Sequence, residues 1–197
     1  MAAKSYSKIS STATSTAVEQ RWFLGGTSMQ SAGHPAEWPA DQLLAACRET
    51  RTRRSGPGGQ HRNKVETAVV LEHGPTGLRA EAAERRSQAE NRSVALRRLR
   101  LRLALEERTI RSADGPSPLW KSRVTAGRIS VSAAHADYPA LLAEALDHLV
   151  ASQADMRQVA KFLGVSPTQL ANLFRKEPAA WECLNRLRQT HGLAALK

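Results

Sequence analysis

The sequence predicts an α+β fold, a small sheet carrying one long helix and followed by a helical bundle, on three observations. Residues 65–73, "VETAVVLEH", are rich in β-branched side chains and read as a strand. Residues 78–83, "LRAEAA", alternate apolar and charged positions after the turn Pro75-Thr76-Gly77, so the two segments read as a β-hairpin. From Ser87 to Arg108 the pattern changes period: Leu96, Leu99 and Leu103 share one stripe at helical spacing, with Arg97, Arg98, Arg100 and Arg102 spread over the rest.

Taken in order, the first 23 residues are rich in Ser, Thr and Ala and poor in acid. That composition fits a disordered tail, with an organelle-targeting segment as the alternative. Residues 1–40 are expected to lack order, and Met29 is a candidate start. Asp41 is placed to cap a short helix through Leu43, Leu44 and Cys47. Arg48 to Arg54 alternates charge and Thr and suits an extended edge strand. Residues 112–135 break periodicity with Gly, Pro and Ser and are expected to be a linker, with a short extended piece at Arg128–Val131.

From Tyr138 the apolar positions return at i, i+3, i+4, i+7 and i+8. A second helix runs near Met156–Leu163 and stops at Gly164. Ser166, Pro167 and Gln169 then form the opening of a third, with serine as N-cap and proline at the first helical position. Pro178 opens a fourth, past Trp181, Leu184 and Leu187. The expected organisation is therefore a domain at 41–111, a linker at 112–135 and a helical domain at 136–197.

The charge says more about partners than about fold. There are 29 Lys and Arg against 18 Asp and Glu, a formal net charge of +11, which points to polyanions. Residues 41–113 hold sixteen of the basic groups and nine of the acidic ones. Cys47 and Cys183 stand far apart with no metal-ligand spacing, so neither a metal nor a cofactor is expected. No apolar run approaches the ~20 residues that a membrane helix needs.

The densest basic stretch is "RTRRSGPGGQHRNK", residues 51–64. It is no phosphate-cradling P-loop, because it ends in Gln-His rather than Gly-Lys-Ser/Thr and leads to a strand. Together with Pro75-Thr76-Gly77, Arg86-Ser87-Gln88 and Asn91 it resembles the catalytic domain of the class I peptide-chain release factors and their smaller ribosome-rescue relatives. The resemblance covers about residues 48–105. It implies hydrolysis of the ester joining a peptide to tRNA, in the large ribosomal subunit. Gly58, Gly59 and Gln60 would be the catalytic residues, the glycines giving close backbone approach and Gln60 donating its backbone N–H to developing charge. The family's glutamine is N-methylated by a dedicated methyltransferase, so methylation of Gln60 is expected.

RNA contact is expected of Arg51, Arg53, Arg54, His61, Arg62, Asn63 and Lys64, and at family positions of Arg86, Gln88 and Asn91. The last three are read equally well as packing residues. Expected partners are the large subunit, its rRNA and peptidyl-tRNA, with a recognition partner held through residues 136–197 as a further reading. The expected location is cytoplasmic, or organellar if residues 1–23 are a targeting segment.

Two departures from the family matter. Nothing resembles the codon-reading domains of full-length factors, which implies codon-independent action. The Lys/Arg-rich tail usual in rescue factors is replaced by helical sequence, in which "MRQVAKFLGVSPTQLANLFRK" reads as a helix-turn-helix with Thr168, Gln169, Asn172 and Arg175 outward. The rival reading is a non-catalytic nucleic-acid- or ribosome-binding protein using the basic loop and these helices.

Overall fold

A computed structural model describes residues 33–52, 67–112 and 114–197 of the chain. Its first layer is the expected hairpin with an added edge strand: β1 Cys47–Thr52, β2 Ala68–His73 and β3 Arg79–Ala82, antiparallel in the order β1-β2-β3. Leu71 lies opposite Glu49 on one side and Ala80 on the other. The β2–β3 turn closes through Gly77, whose φ of +69° suits a residue without Cβ. Gly77 N donates to the His73 carbonyl at 2.7 Å.

Ahead of the sheet stand a 3₁₀ turn at Pro35–Glu37 and α1 at Ala40–Ala45. Order thus begins earlier than expected, with Ala36 and His34 both buried. Asp41 is not the cap. Pro39 occupies the N-cap position, which starts the helix two residues sooner and leaves Asp41 inside the first turn.

The long helix, α2, spans Gln88–Glu106 and rises about 28 Å at 1.5 Å per residue. Ser87 caps it by accepting from Glu90 N at 3.4 Å. Its buried face is Asn91, Ala95, Leu99 and Leu103, packed on the sheet. The arginines spread over the rest of the helix are mostly fastened to the fold. Arg98 and Arg102, one turn apart, donate to the carbonyls of Glu81 and Arg79 at 2.6 Å each. Those carbonyls belong to β3, an edge strand of the sheet, so the pair satisfies and covers an edge open to foreign strands.

Residues 112–135 are not a linker. They contain α3 (Pro118–Arg123), capped by Ser117, and the two-residue strands β4 (Val124–Thr125) and β5 (Arg128–Ile129). The connection Ala126-Gly127 has φ of +49° and +72°, the double positive φ of a tight hairpin turn. Trp120 is 1% exposed and its indole N–H donates to the Leu163 carbonyl at 2.8 Å. Gly, Pro and Ser here build caps and turns between buried anchors, which composition alone does not distinguish from a tether.

The C-terminal helices are α4 (Tyr138–Ala151), α5 (Met156–Phe162), α6 (Pro167–Arg175) and α7 (Pro178–Thr190). Their boundaries follow the expected caps. Ser166 accepts from Gln169 N at 3.1 Å, and Gly164 closes α5 at φ +69°. The expected separation from residues 41–111 is overturned. One apolar core runs from Leu71, Leu99 and Leu103 through Trp120 to Leu141, Leu146, Leu163 and Phe174.

A buried polar layer ties the halves together. Asp147 on α4, its side chain fully buried, accepts from Arg108 at 3.2 Å, Arg111 at 2.8 Å and Thr109 N at 3.2 Å. Arg111 also pairs with Glu37. Glu144 accepts both the N–H and hydroxyl of Ser117, at 2.7 and 2.5 Å. Burial holds the pKa of His34 down at about 4, and the neutral ring fits its contacts: Nδ1 accepts from Ala36 N, and Nε2 lies 3.2 Å from the Glu107 carbonyl it can donate to.

Candidate active site

The segment carrying Gly58, Gly59 and Gln60 lies outside the described residues, as do Arg53, Arg54, His61, Arg62, Asn63 and Lys64. The structure does describe what holds its two ends. Thr52 and Ala68 are register partners at the end of the β1–β2 ladder, so residues 53–67 leave and re-enter the sheet at adjacent positions. Val69 and Leu71 next to this exit are fully buried under α2.

Two side chains on α2 fasten the ends. On the departing side Glu49 of β1 accepts from Arg92 at 2.7 Å and from Arg51 at 3.2 Å. Partial burial opposes ionisation of Glu49, but the two guanidinium groups outweigh it and lower its pKa. Arg51, among the expected RNA contacts, is thereby steered at its Nε while 58% of its side chain stays exposed.

On the returning side stands Asn91, with no exposed surface. Its amide N–H groups donate to the Thr67 carbonyl at 2.6 Å and the Arg85 carbonyl at 2.9 Å, and its Oδ1 accepts from Arg85 N at 2.9 Å. All three partners are main-chain groups. One buried amide therefore clamps the residue that ends the loop to the turn that carries Arg86 and Ser87. The RNA contact expected of Asn91 has no surface to act through, and the packing reading describes its surroundings.

Arg86 is exposed on that turn and Gln88 is half-buried at the first position of α2. The fold thus brings Arg51, Arg86, Gln88 and Asn91 to the end of the sheet marked by Thr52 and Ala68. Beside them a shallow groove of about 390 Å³ is lined by Glu84, Arg85, Ser93, Val94, Arg97 and Arg98. Sequence reasoning missed Glu49 and Arg92, whose pairing crosses 43 residues. It had a signal for Asn91: with Ala95, Leu99 and Leu103 it falls on one helical stripe, where a polar residue must find partners.

The helix-turn-helix reading changes in detail. Thr168 and Arg175 are exposed, whereas Gln169 and Asn172 are half-buried. Arg175 lies 4.7 Å from the Trp181 ring centroid and bonds Asn172 Oδ1 and the Lys197 carbonyl, so its guanidinium is engaged within the fold. Among the described residues no group of His, Cys, Asp and Glu is arranged to hold a metal, and no helix is long and apolar enough to cross a membrane.

Comparison with known proteins agrees with this geometry. Residues 44–132 match the RF-1 domain family, reaching past the hairpin and α2 into α3 and the β4–β5 hairpin. The chain is 45% identical over 75 residues to peptide chain release factor 1 of Acidiphilium cryptum, covering 38% of this chain and 21% of that one. It is 39% identical over 87 residues to peptide chain release factor 1 of Malacoplasma penetrans, covering 44% and 24%. A peptide chain release factor 1-like mitochondrial protein of Rattus norvegicus is 48% identical over 60 residues, covering 29% and 16%. The chain spans about a fifth of the length of these relatives. Residues 44–132 are thus similar to the RF-1 domain that peptide chain release factors carry.

Proposed function

We propose that this protein hydrolyses the ester of peptidyl-tRNA in the large ribosomal subunit without reading a codon. The observation that carries the reading is the sequence Gly58-Gly59-Gln60 within a segment whose ends are register partners on the sheet of an RF-1 domain. The flanking strands are held at adjacent points on a scaffold fastened by Asn91 and Glu49, which suits the delivery of one short segment to a substrate.

The chemistry follows from the residue types. An ester at the bottom of an RNA-walled site admits a backbone without Cβ atoms, which Gly58 and Gly59 supply. The Gln60 N–H donates to charge developing as water attacks the ester carbon and the tRNA 3′ oxygen leaves. Such a donor is worth about 10²–10³ in rate. The Gln60 side chain shapes the pocket for water, and its N-methylation by a partner methyltransferase belongs to the same proposal. The basic side chains from Arg51 to Lys64 and Arg86 contact phosphates, which positions the loop without specifying sequence.

Codon independence is supported by the use made of residues 136–197. They are built into the core of the RF-1 domain by the Asp147 layer and Trp120 rather than hung from it. The test is peptide release from ribosomes carrying a stop codon, a sense codon or no codon in the decoding site. Equal release in the three, or preference for the vacant site, is expected. Release confined to stop codons would contradict the reading, as would no release where a known rescue factor is active.

A further inference from the structure

A second basic face lies in the C-terminal half, on residues other than the outward set of the helix-turn-helix. Arg157 and Lys161 stand one turn apart on the exposed stripe of α5, whose other face buries Met156, Val159 and Ala160. The stripe continues to Gly164, where the β4–β5 hairpin meets it. A Cβ on Gly127 would lie 3.9 Å from the Gly164 carbonyl oxygen, and Trp120 bonds Leu163 just before. Arg128 follows Gly127 directly, so the hairpin sets a third cation beside the helix. All three are exposed, and none has an ion-pair partner among the described residues.

The acids of this half are partly withdrawn: Glu182 and Asp155 are exposed, Asp155 as the cap of α5, where it accepts from Arg157 N and Gln158 N at 2.9 and 3.0 Å. Residues 136–197 carry seven basic and six acidic groups, which reads as nearly neutral. Glu144 and Asp147, however, are buried in the polar layer, and Asp137 holds Arg123 at 2.5 Å. The surface is therefore more basic than the sequence shows. Between the cations lie exposed hydroxyls of Thr125, Ser166 and Thr168, and two glycines that leave the main chain open to close approach. Protein interfaces draw their energy from buried aromatic and apolar anchors. This face has none: the exposed large hydrophobics, Ile110 and Leu193, lie elsewhere in the chain.

We infer that the face formed by Arg128, Arg157 and Lys161 is a second attachment surface whose occupant is the phosphate backbone of double-helical RNA. Cations fixed on a packed scaffold suit phosphates that are themselves at fixed spacing, and hydroxyls add uncharged donors to the same backbone. The choice of RNA over DNA rests on the proposed hydrolase reading. One core joins this face to the RF-1 domain, so it meets whatever RNA surrounds the loop at a constant offset.

The test uses the full chain, a short RNA duplex and a DNA duplex of the same sequence, titrated over a range of salt. Each phosphate contact contributes about 0.9 to the slope of log affinity against log salt. The variant R128A/R157A/K161A should lower the RNA slope by about 2 to 3 and weaken binding, with an unchanged melting temperature. Lys161→Glu alone should weaken RNA binding more than Lys161→Ala. Gln60→Ala should bind the duplex as wild type does, so a failure of the hydrolase reading leaves this result standing. A triple variant with the wild-type slope overturns the inference. Tighter binding of DNA than RNA through these three residues overturns the assignment to RNA.

Discussion

Replacing Asn91 by alanine is the most telling structural perturbation, because one side chain holds both the returning end of the loop and the turn carrying Arg86. The change deletes three hydrogen bonds of 2.6 to 2.9 Å in a residue with no exposed surface. It leaves the Thr67 and Arg85 carbonyls and the Arg85 N–H to find other partners. At roughly 0.5–1.5 kcal/mol for each net bond, and more for any group left buried, the loss should be about 2–4 kcal/mol. Asn91→Asp should be at least as damaging, since it keeps the acceptor for Arg85 N but turns a carboxylate towards two carbonyl oxygens. Urea unfolding at constant m-value reads the stability term. Peptide release per folded molecule, under saturating protein, reads whether the loop is still delivered correctly. A loss under ~0.5 kcal/mol would refute the clamp, that being the range of ordinary surface substitutions. Full release per folded molecule would show that the clamp serves stability alone.

Further predictions concern the polar layer. His34 should make stability pH-dependent. Its folded pKa of about 4 lies below the ordinary 6.5, so its contribution is complete above pH 6.5 and is lost as pH falls towards 4. The shift corresponds to about 3 kcal/mol at most, and urea midpoints of wild type and His34→Gln across pH 4–7 should converge at the acid end. Asp147→Ala should cost about 3–5 kcal/mol, because it removes the buried carboxylate that Arg108 and Arg111 share; calorimetry would show it. Trp120→Ala should cost about 3–5 kcal/mol and unfold the RF-1 domain and the C-terminal helices in one transition. Two separate transitions would contradict the single core.

Elements marked by local chemistry were legible in the sequence. The end of β2 at His73, the start of α2 beside Ser87 and the Ser166-Pro167 start of α6 each appear within a residue of their expected places, because each depends on neighbours in the chain. What was not legible depends on long-range partners. Trp120 reads as one aromatic in a loop until Leu163 accepts its N–H. Local sequence does not set Glu144 and Asp147 apart, yet α4 is buried nearly all round and their counter-groups come from residues 108–117. The motif marks Asn91 and leaves RNA contact and packing equally open, and its burial fits the packing reading. Only its burial shows that its contribution to the site runs through the main chain of Thr67 and Arg85.

The central claim is that the Gln60 main chain supplies the donor for ester hydrolysis. Its most direct test is single-turnover peptide release from ribosomes stalled on an mRNA lacking a stop codon. Wild type is compared with Gln60→Ala, which keeps the backbone N–H, and Gln60→Pro, which removes it. The account predicts a rate reduced by about 10²–10³ for the proline variant, with ribosome binding retained and a smaller deficit for alanine. Release by Gln60→Pro at the wild-type rate would contradict it.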